Sequence, residues 1–242
     1  MKVREVVARD LLRLPLGEGH VDYVLVRRHG RRGVGLKVDG RGLTVSAPSS
    51  WPVSRIEAAV RESERWVLKK VAEWSARRVP SMSWSEGARL PWLGAGLELQ
   101  LGRGSRAMAS ALPGALRVVT RDGSDESIKR VVVRWYKRAA RELLVPRVHE
   151  LSLRAGIAAP KVLISSAMAR WGSCNSRREV RLAWRLVKAP RELIDYVICH
   201  ELAHLRHMNH SAAFWAEVER QLPGHAPLRK RLFATDHLYR SF

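Results

Sequence analysis

Cysteine is scarce in this chain. It has two, Cys174 and Cys199, in 242 residues. They are spaced too far apart for a paired zinc motif and too few for a disulfide scaffold. No apolar run is long enough to span a bilayer. The first residues, Met1-Lys2-Val3-Arg4-Glu5, lack a hydrophobic signal core, and Arg9, Asp10 and Arg13 interrupt the apolar positions that follow. These absences argue against secreted and membrane classes, and a cytoplasmic protein is expected. Acidic residues are also in deficit: 23 Asp plus Glu face 44 Lys plus Arg, a formal charge of +21. Such an excess attracts polyanions, so nucleic acid or an acidic protein is an expected partner class. An arginine-rich, merely solvated surface explains the same number, and charge alone does not separate these readings.

The length suffices for one large or two small domains. No internal sequence repeat is apparent. Residues 22 to 48 alternate as short strands (Val24, Val26; Val34, Leu36, Val38; Leu43, Val45), with a turn at Asp39-Gly40-Arg41-Gly42. Ile56, Ala59, Val60, Ser63, Val67, Val71 and Trp74 predict one long helix over about 53–78. A hairpin is expected around Trp92 to Leu97 with its turn at Gly94 to Gly96, then a loose loop over 102–114 and a strand at Val118-Val119. The turn cluster Asp122-Gly123-Ser124-Asp125 is the best boundary. Ile128, Val131, Val132, Trp135, Ala139 and Leu144 mark a helix after it, and Pro146 should kink or divide that helix. Its other face carries Lys129, Arg130, Arg134, Lys137, Arg138 and Arg141. Trp66, Trp74, Trp135 and Trp215 sit at helical core spacing, which favours burial over base stacking.

The chemistry concentrates near the C-terminus. Strands are expected at Val162 to Ser165 and Val180 to Trp184. The run Cys199-His200-Glu201-Leu202-Ala203-His204 follows, then Leu205-Arg206-His207-Met208-Asn209-His210. In a helix at about 100° per residue, positions four apart differ by only about 40°. His200 and His204 would therefore share a face and could share a metal, with Glu201 on its shoulder. Leu193, Ile194, Val197, Ile198, Leu202 and Leu205 make the helix amphipathic, with Pro190 suited to its first turn. Asn209 can stop it in a left-handed conformation, and Ser211 can cap the next helix. A stop there would return His210 toward the metal as third ligand. His207 competes for that role, and His225 and His237 are weaker candidates. Cys199 reads as a small buried residue. Three ligands with an open position describe a catalytic rather than a structural zinc.

These residues resemble the YgjP-like metallopeptidases, a family of zincins. The resemblance takes in Arg170-Trp171-Gly172-Ser173-Cys174, Arg181 to Leu186, Pro190, Ile194 to Val197, the histidine motif and Asn209-His210-Ser211 with Phe214-Trp215. It extends less sharply to the N-terminal half. It implies Zn2+ on His200, His204 and His210 with Glu201 as general base, and a more distant kinship with SprT-type proteases, some of which cut DNA-bound proteins. The expected fold is α+β: a basic β-rich N-terminal domain over 1–123, then a zincin-like helical domain over 124–242 with a small antiparallel sheet. The expected function is hydrolysis of peptide bonds in a protein or peptide substrate. The alternatives are a DNA-stimulated protease, or a non-enzymatic nucleic-acid-binding protein with a residual metal site. Tyr196, Arg170, His225 and Tyr239 are candidate oxyanion donors, and Asp195 a candidate orienter of a histidine. The strand at Val180 to Trp184 is a candidate open edge for substrate.

Overall fold

The computed structural model describes residues 6–39, 42–76 and 82–242. It is an α+β protein of two compact units, divided at Pro80/Ser81. The expected boundary at 123 falls inside the second unit, because no core ends there. Leu90, Leu97, Leu99, Leu116 and Val118 from the sheet before it join Ile128, Val131, Val132 and Trp135 from the helix after it in one cluster.

In the first unit, β1 (Val6–Leu16), β2 (Gly19–Arg28), β3 (Gly35–Asp39) and β4 (Gly42–Pro48) form a sheet in the order β1-β2-β4-β3. Its outer pairs are antiparallel and its central β2–β4 pair is parallel. The expected turn between the last two strands is flanked by the Asp39–Gly42 pairing, while positions 40 and 41 lie outside the described residues. Strand β1 was not foreseen: its residues are mostly exposed and carry little apolar alternation until Leu14 and Leu16. The long helix is in fact two, α1 (Val53–Arg61) and α2 (Glu64–Ala76). Its expected last residues lie outside those described. Ile56, Val60 and Val67 bury against Leu14, Tyr23, Leu25 and Val45. Trp66 is 43% exposed, so its helical spacing does not place it in the core.

The second unit repeats the sheet. Strands β5 (Arg89–Trp92), β6 (Ala95–Arg103), β7 (Met108–Leu112) and β8 (Ala115–Thr120) run in the order β5-β6-β8-β7, again with antiparallel outer pairs around a parallel centre. The topology is duplicated without a sequence repeat that betrays it. The presumed loop over 102–114 contains the end of β6 and all of β7. Helix α3 (Asp125–Arg154) covers this sheet. Ser124 caps it by accepting from the Ser127 backbone N–H. Pro146 lies within this one unbroken 30-residue helix and does not divide it. Trp135 and Tyr136 are buried, while the predicted basic residues are all exposed.

A third sheet leads to the site. It holds β9 (Lys161–Ser165), β10 (Gly172–Cys174) and β11 (Glu179–Ala183) in the order β10-β11-β9. It is mixed rather than purely antiparallel, since β11 runs parallel to β9 and antiparallel to β10. β11 is the central strand, so the expected open edge at Val180 to Trp184 is paired on both sides, and Trp184 begins a 3-10 turn (Trp184–Lys188) instead. Helices α4 (Arg191–Ala203), α5 (Ala212–Gln221) and α6 (His225–Tyr239) complete the unit. None of the described helices is long and apolar enough to cross a membrane.

The start of α4 is braced by the β5–β6 hairpin. The turn is Leu93-Gly94, both in the left-handed region (φ 50 and 80), one step earlier than expected. Its N–H groups donate to the Val187 and Lys188 carbonyls at 2.8 and 3.1 Å. A Cβ on Gly94 would lie 2.7 Å from Pro190 Cγ and 3.0 Å from its Cα. Pro190 caps α4. Gly94→Ala therefore combines a strained backbone with a collision against a rigid ring, and should lower stability by on the order of 3 kcal/mol. Chemical denaturation checks this, and a loss below about 0.5 kcal/mol, the size of an ordinary surface substitution, would show the close approach to be slack.

Candidate metal centre

Helix α4 is buried along most of its length. Leu193, Ile194, Val197, Ile198, Cys199, Leu202 and Ala203 pack into the main core. This fixes the rotation of the helix and leaves His200 and Glu201 facing the third sheet and α5. The helix is shorter than predicted. His204 is its C-cap, and the chain continues as hydrogen-bonded turns to His207 rather than as helix to Asn209. Asn209 does not take the left-handed conformation, and the chain returns without it. Ser211 caps α5 as expected, accepting from the Phe214 N–H.

His200, His204 and His210 converge. One nitrogen from each lies within 4.8 Å of the others, the only such group among the described residues. His210 Nε2 and His200 Nε2 are 3.2 Å apart. Two ligands of a tetrahedral zinc at about 2.0–2.1 Å would be separated by about 3.3–3.4 Å, so the spacing fits a shared cation. His204 Nδ1 lies 3.1 Å from the His207 carbonyl oxygen. A carbonyl only accepts, so Nδ1 carries the proton and Nε2 keeps its lone pair for the cluster. His207 thus contributes its backbone, not its ring. Burial, reinforced by the neighbouring histidines, pushes His200 down to about 4, and burial also lowers His204. These imidazoles are neutral at neutral pH, as metal ligands must be.

Glu201 is 5% exposed, and its Oε2 has no hydrogen-bond partner among the described residues. Burial drives its carboxyl up to about 8, with Arg170 pulling the other way. Gly172 makes room for it: a Cβ there would lie 2.5 Å from Glu201 Oε1 and 2.6 Å from its Cγ. Composition and spacing gave no sign of this contact. It needed the pairing of β10 beneath α4.

The other candidates scatter. Asp195 orients no histidine. It forms a two-pronged pair with Arg147 at 2.7 and 2.6 Å, tying α4 to α3. Cys199 is buried as expected, and Cys174 and Cys199 are both free thiols. His237 stands on α6 outside the cluster. Tyr196 stacks on His225, whose Nδ1–H donates to the Glu219 carboxylate at 2.7 Å. Trp184 lies in the core against Tyr136, whereas Trp171 packs against Tyr239 at the site's side.

The segment bearing His210 is held by ions. Glu217 of α5 binds Arg220 at 2.7 Å and Arg206 at 3.5 Å, and both arginines also donate to the Ala155 carbonyl. The hydrogen bond from Arg220, with help from Gln221 and Arg206, lowers the Glu217 carboxyl to about 2. Because the folded value is depressed, this stabilisation is complete above the ordinary glutamate range, about 4.3, and drains away as pH falls toward 2. Acid unfolding should show this, and Glu217→Gln should flatten the decline between those limits. An unchanged acid profile in the variant would remove Glu217 from the account.

A family model for the YgjP-like metallopeptidase domain matches residues 32–235. Among solved structures, the chain is similar to the metallopeptidase zymogen of Pyrococcus abyssi abylysin, with 26% identity and a TM-score of 0.33 over 38% of this chain and 90% of that one. It is also similar to the metallopeptidase zymogen of Methanocaldococcus jannaschii jannalysin, with 22% identity and a TM-score of 0.35 over 39% of this chain and 96% of that one. No curated protein matches.

Proposed function

The chain belongs to the YgjP-like metallopeptidase family, and on that premise we propose that it is a zinc peptidase in which His200, His204 and His210 hold the metal and Glu201 is the general base. The observation that carries this reading is the convergence of three imidazoles within 4.8 Å, with the buried Glu201 next to His200 in the sequence. An all-nitrogen set with no carboxylate suits zinc better than magnesium or calcium. Zinc in this position supplies Lewis acidity, which acidifies water and polarises a carbonyl.

The protein's own groups do the rest. Glu201 takes the proton from the attacking water and passes it to the leaving amine. Burial raises that carboxyl above the ordinary glutamate range, and a cation on the histidines would favour the ionised form that a base requires. Gly172 keeps the carboxylate in place by offering no side chain. Strand β10 stands at the sheet edge, and its free side inherits the substrate-pairing role once expected of Val180 to Trp184. The two free thiols suit a reducing compartment such as the cytoplasm.

Glu201→Gln should keep its zinc, measured by elemental analysis of the purified protein, and lose turnover of a quenched fluorescent peptide by about 10²–10⁴-fold. Wild-type turnover in a zinc-loaded variant would rule out Glu201 as the base.

The exposed face of α3 favours a second reading, in which a polyanion stimulates the peptidase. Lys129, Arg130, Arg134, Lys137 and Arg141 have no carboxylate partner among the described residues. Duplex DNA added to the same assay should then raise the rate, and the gain should fall with salt. A rate indifferent to DNA at low salt refutes it.

A further inference from the structure

A cavity of about 760 Å³ opens beside the histidine cluster on the α6 side. Its walls are continuous with the cluster. Tyr196 and Trp215 line it, and their rings also lie 6.1 and 5.8 Å from His200. His225 stacks on both, within 7° of Trp215 and 5° of Tyr196. Trp171 forms another wall. Flat aromatic surfaces of this extent bind aromatic or long aliphatic groups and gain little from small or polar ones.

The mouth is positive. The Arg229 guanidinium lies 4.4 Å over the Trp215 ring, on the wall shared with the cluster, and Lys230 follows it. Neither has a carboxylate partner among the described residues. The one acid lining the cavity, Asp236, is engaged by Arg240 at 2.8 Å. Two uncompensated cations over an apolar floor favour an anion and repel a lysine or arginine.

We propose that this cavity is a specificity pocket that takes an aromatic or long aliphatic side chain next to the cleaved bond, with a carboxylate of the same substrate held at its mouth by Arg229 and Lys230. The proposal rests on the peptidase reading of the cluster. The carboxylate can come from an acidic side chain or from a free C-terminus, and the chemistry of recognition is the same. Tyr196, Trp215 and Arg229 set the choice of peptide, since each borders both the cavity and the cluster or its wall.

Binding separates the pocket from the peptidase reading. Short acetylated peptides are titrated calorimetrically into the full-length, zinc-loaded Glu201→Gln protein. One set carries Phe, Ala or Lys at the central position. Each peptide is made with a following Asp and amidated end, with a neutral amidated end, and with a free C-terminus. The Phe peptides with a carboxylate should bind at least about tenfold more tightly than their Ala and Lys counterparts, about 1.4 kcal/mol. The arm that carries the gain, Asp or free C-terminus, identifies the source. Arg229→Gln in the same background should erase the carboxylate advantage and leave the preference for Phe. Uniform or undetectable binding across the panel overturns the pocket. Wild-type cleavage of the same peptides reads the other claim: selective binding without cleavage defeats the peptidase reading alone, and cleavage without preference for Phe or a carboxylate defeats the pocket alone.

Discussion

A carboxylate shut away from water is costly, and the second unit is organised around holding one. Glu201 sits on a helix whose core-facing side chains are almost fully excluded from solvent. Burial raises its carboxyl, which an exposed glutamate would never show. Each neighbouring element constrains that position. The Leu93-Gly94 turn abuts Pro190 at the head of α4, Arg147 of α3 grips Asp195 one turn further on, and Gly172 of β10 closes against the carboxylate itself. The site therefore does not sit on a mobile loop. Two of its three imidazoles come from a packed helix and its cap, and the third from a segment clamped by Arg206, Glu217 and Arg220.

Much of this was legible in the chain, and the reasons are physical. Helical spacing placed His200 and His204 together, because a period of about 3.6 residues needs no tertiary information. The return of His210 was foreseen for a partly wrong reason. Asn209 was expected to turn the chain, whereas the helix stops at Ala203 and the turns after it are held by backbone bonds to Leu202 and Ala203. The next cap, Ser211, was readable because capping is local. Gly172 and Asp195 were not, since one depends on which strand underlies α4 and the other on how α3 crosses it. The third sheet shows the same limit. Alternation found β9 and β11, but strand order decided that β11 is central and β10 is the edge.

The misplaced boundary has a related cause. Asp122-Gly123-Ser124-Asp125 has the composition of a linker, yet here it is a tight connection from β8 to α3 with its own side-chain bonds, Asp122 receiving from the hydroxyls of Ser124 and Ser127. The duplicated sheets clarify why local signals misled. Both share the order of two hairpins around a parallel centre, but Ile56, Val60 and Val67 close a small core over the first. Over the second lies α3, whose 30 residues carry the same core on to α4. A sheet that looks like the end of one domain is the beginning of another.

The charge excess is better understood by its distribution than by its total. Several acids serve two cations each: Glu150 binds Arg147 and Arg154, Glu179 binds Lys161 and Arg181, and Glu217 binds Arg206 and Arg220. Hydrogen bonds from those partners depress Glu179 and Glu217 to about 2, so these acids stay ionised and committed to the fold. With the acids spent this way, many cations of the second unit have no carboxylate among the described residues, those on the outer face of α3 and Arg229 and Lys230 at the cavity among them. The α3 face is a broad solvated surface, where attraction is long-ranged and weakened by salt. The cavity mouth is backed by aromatic rings and adjoins the histidines, where an anion meets less water and a fixed geometry. On the readings proposed above, one excess of arginine would serve two different kinds of recognition, a diffuse one for polyanions and a local one for a single carboxylate.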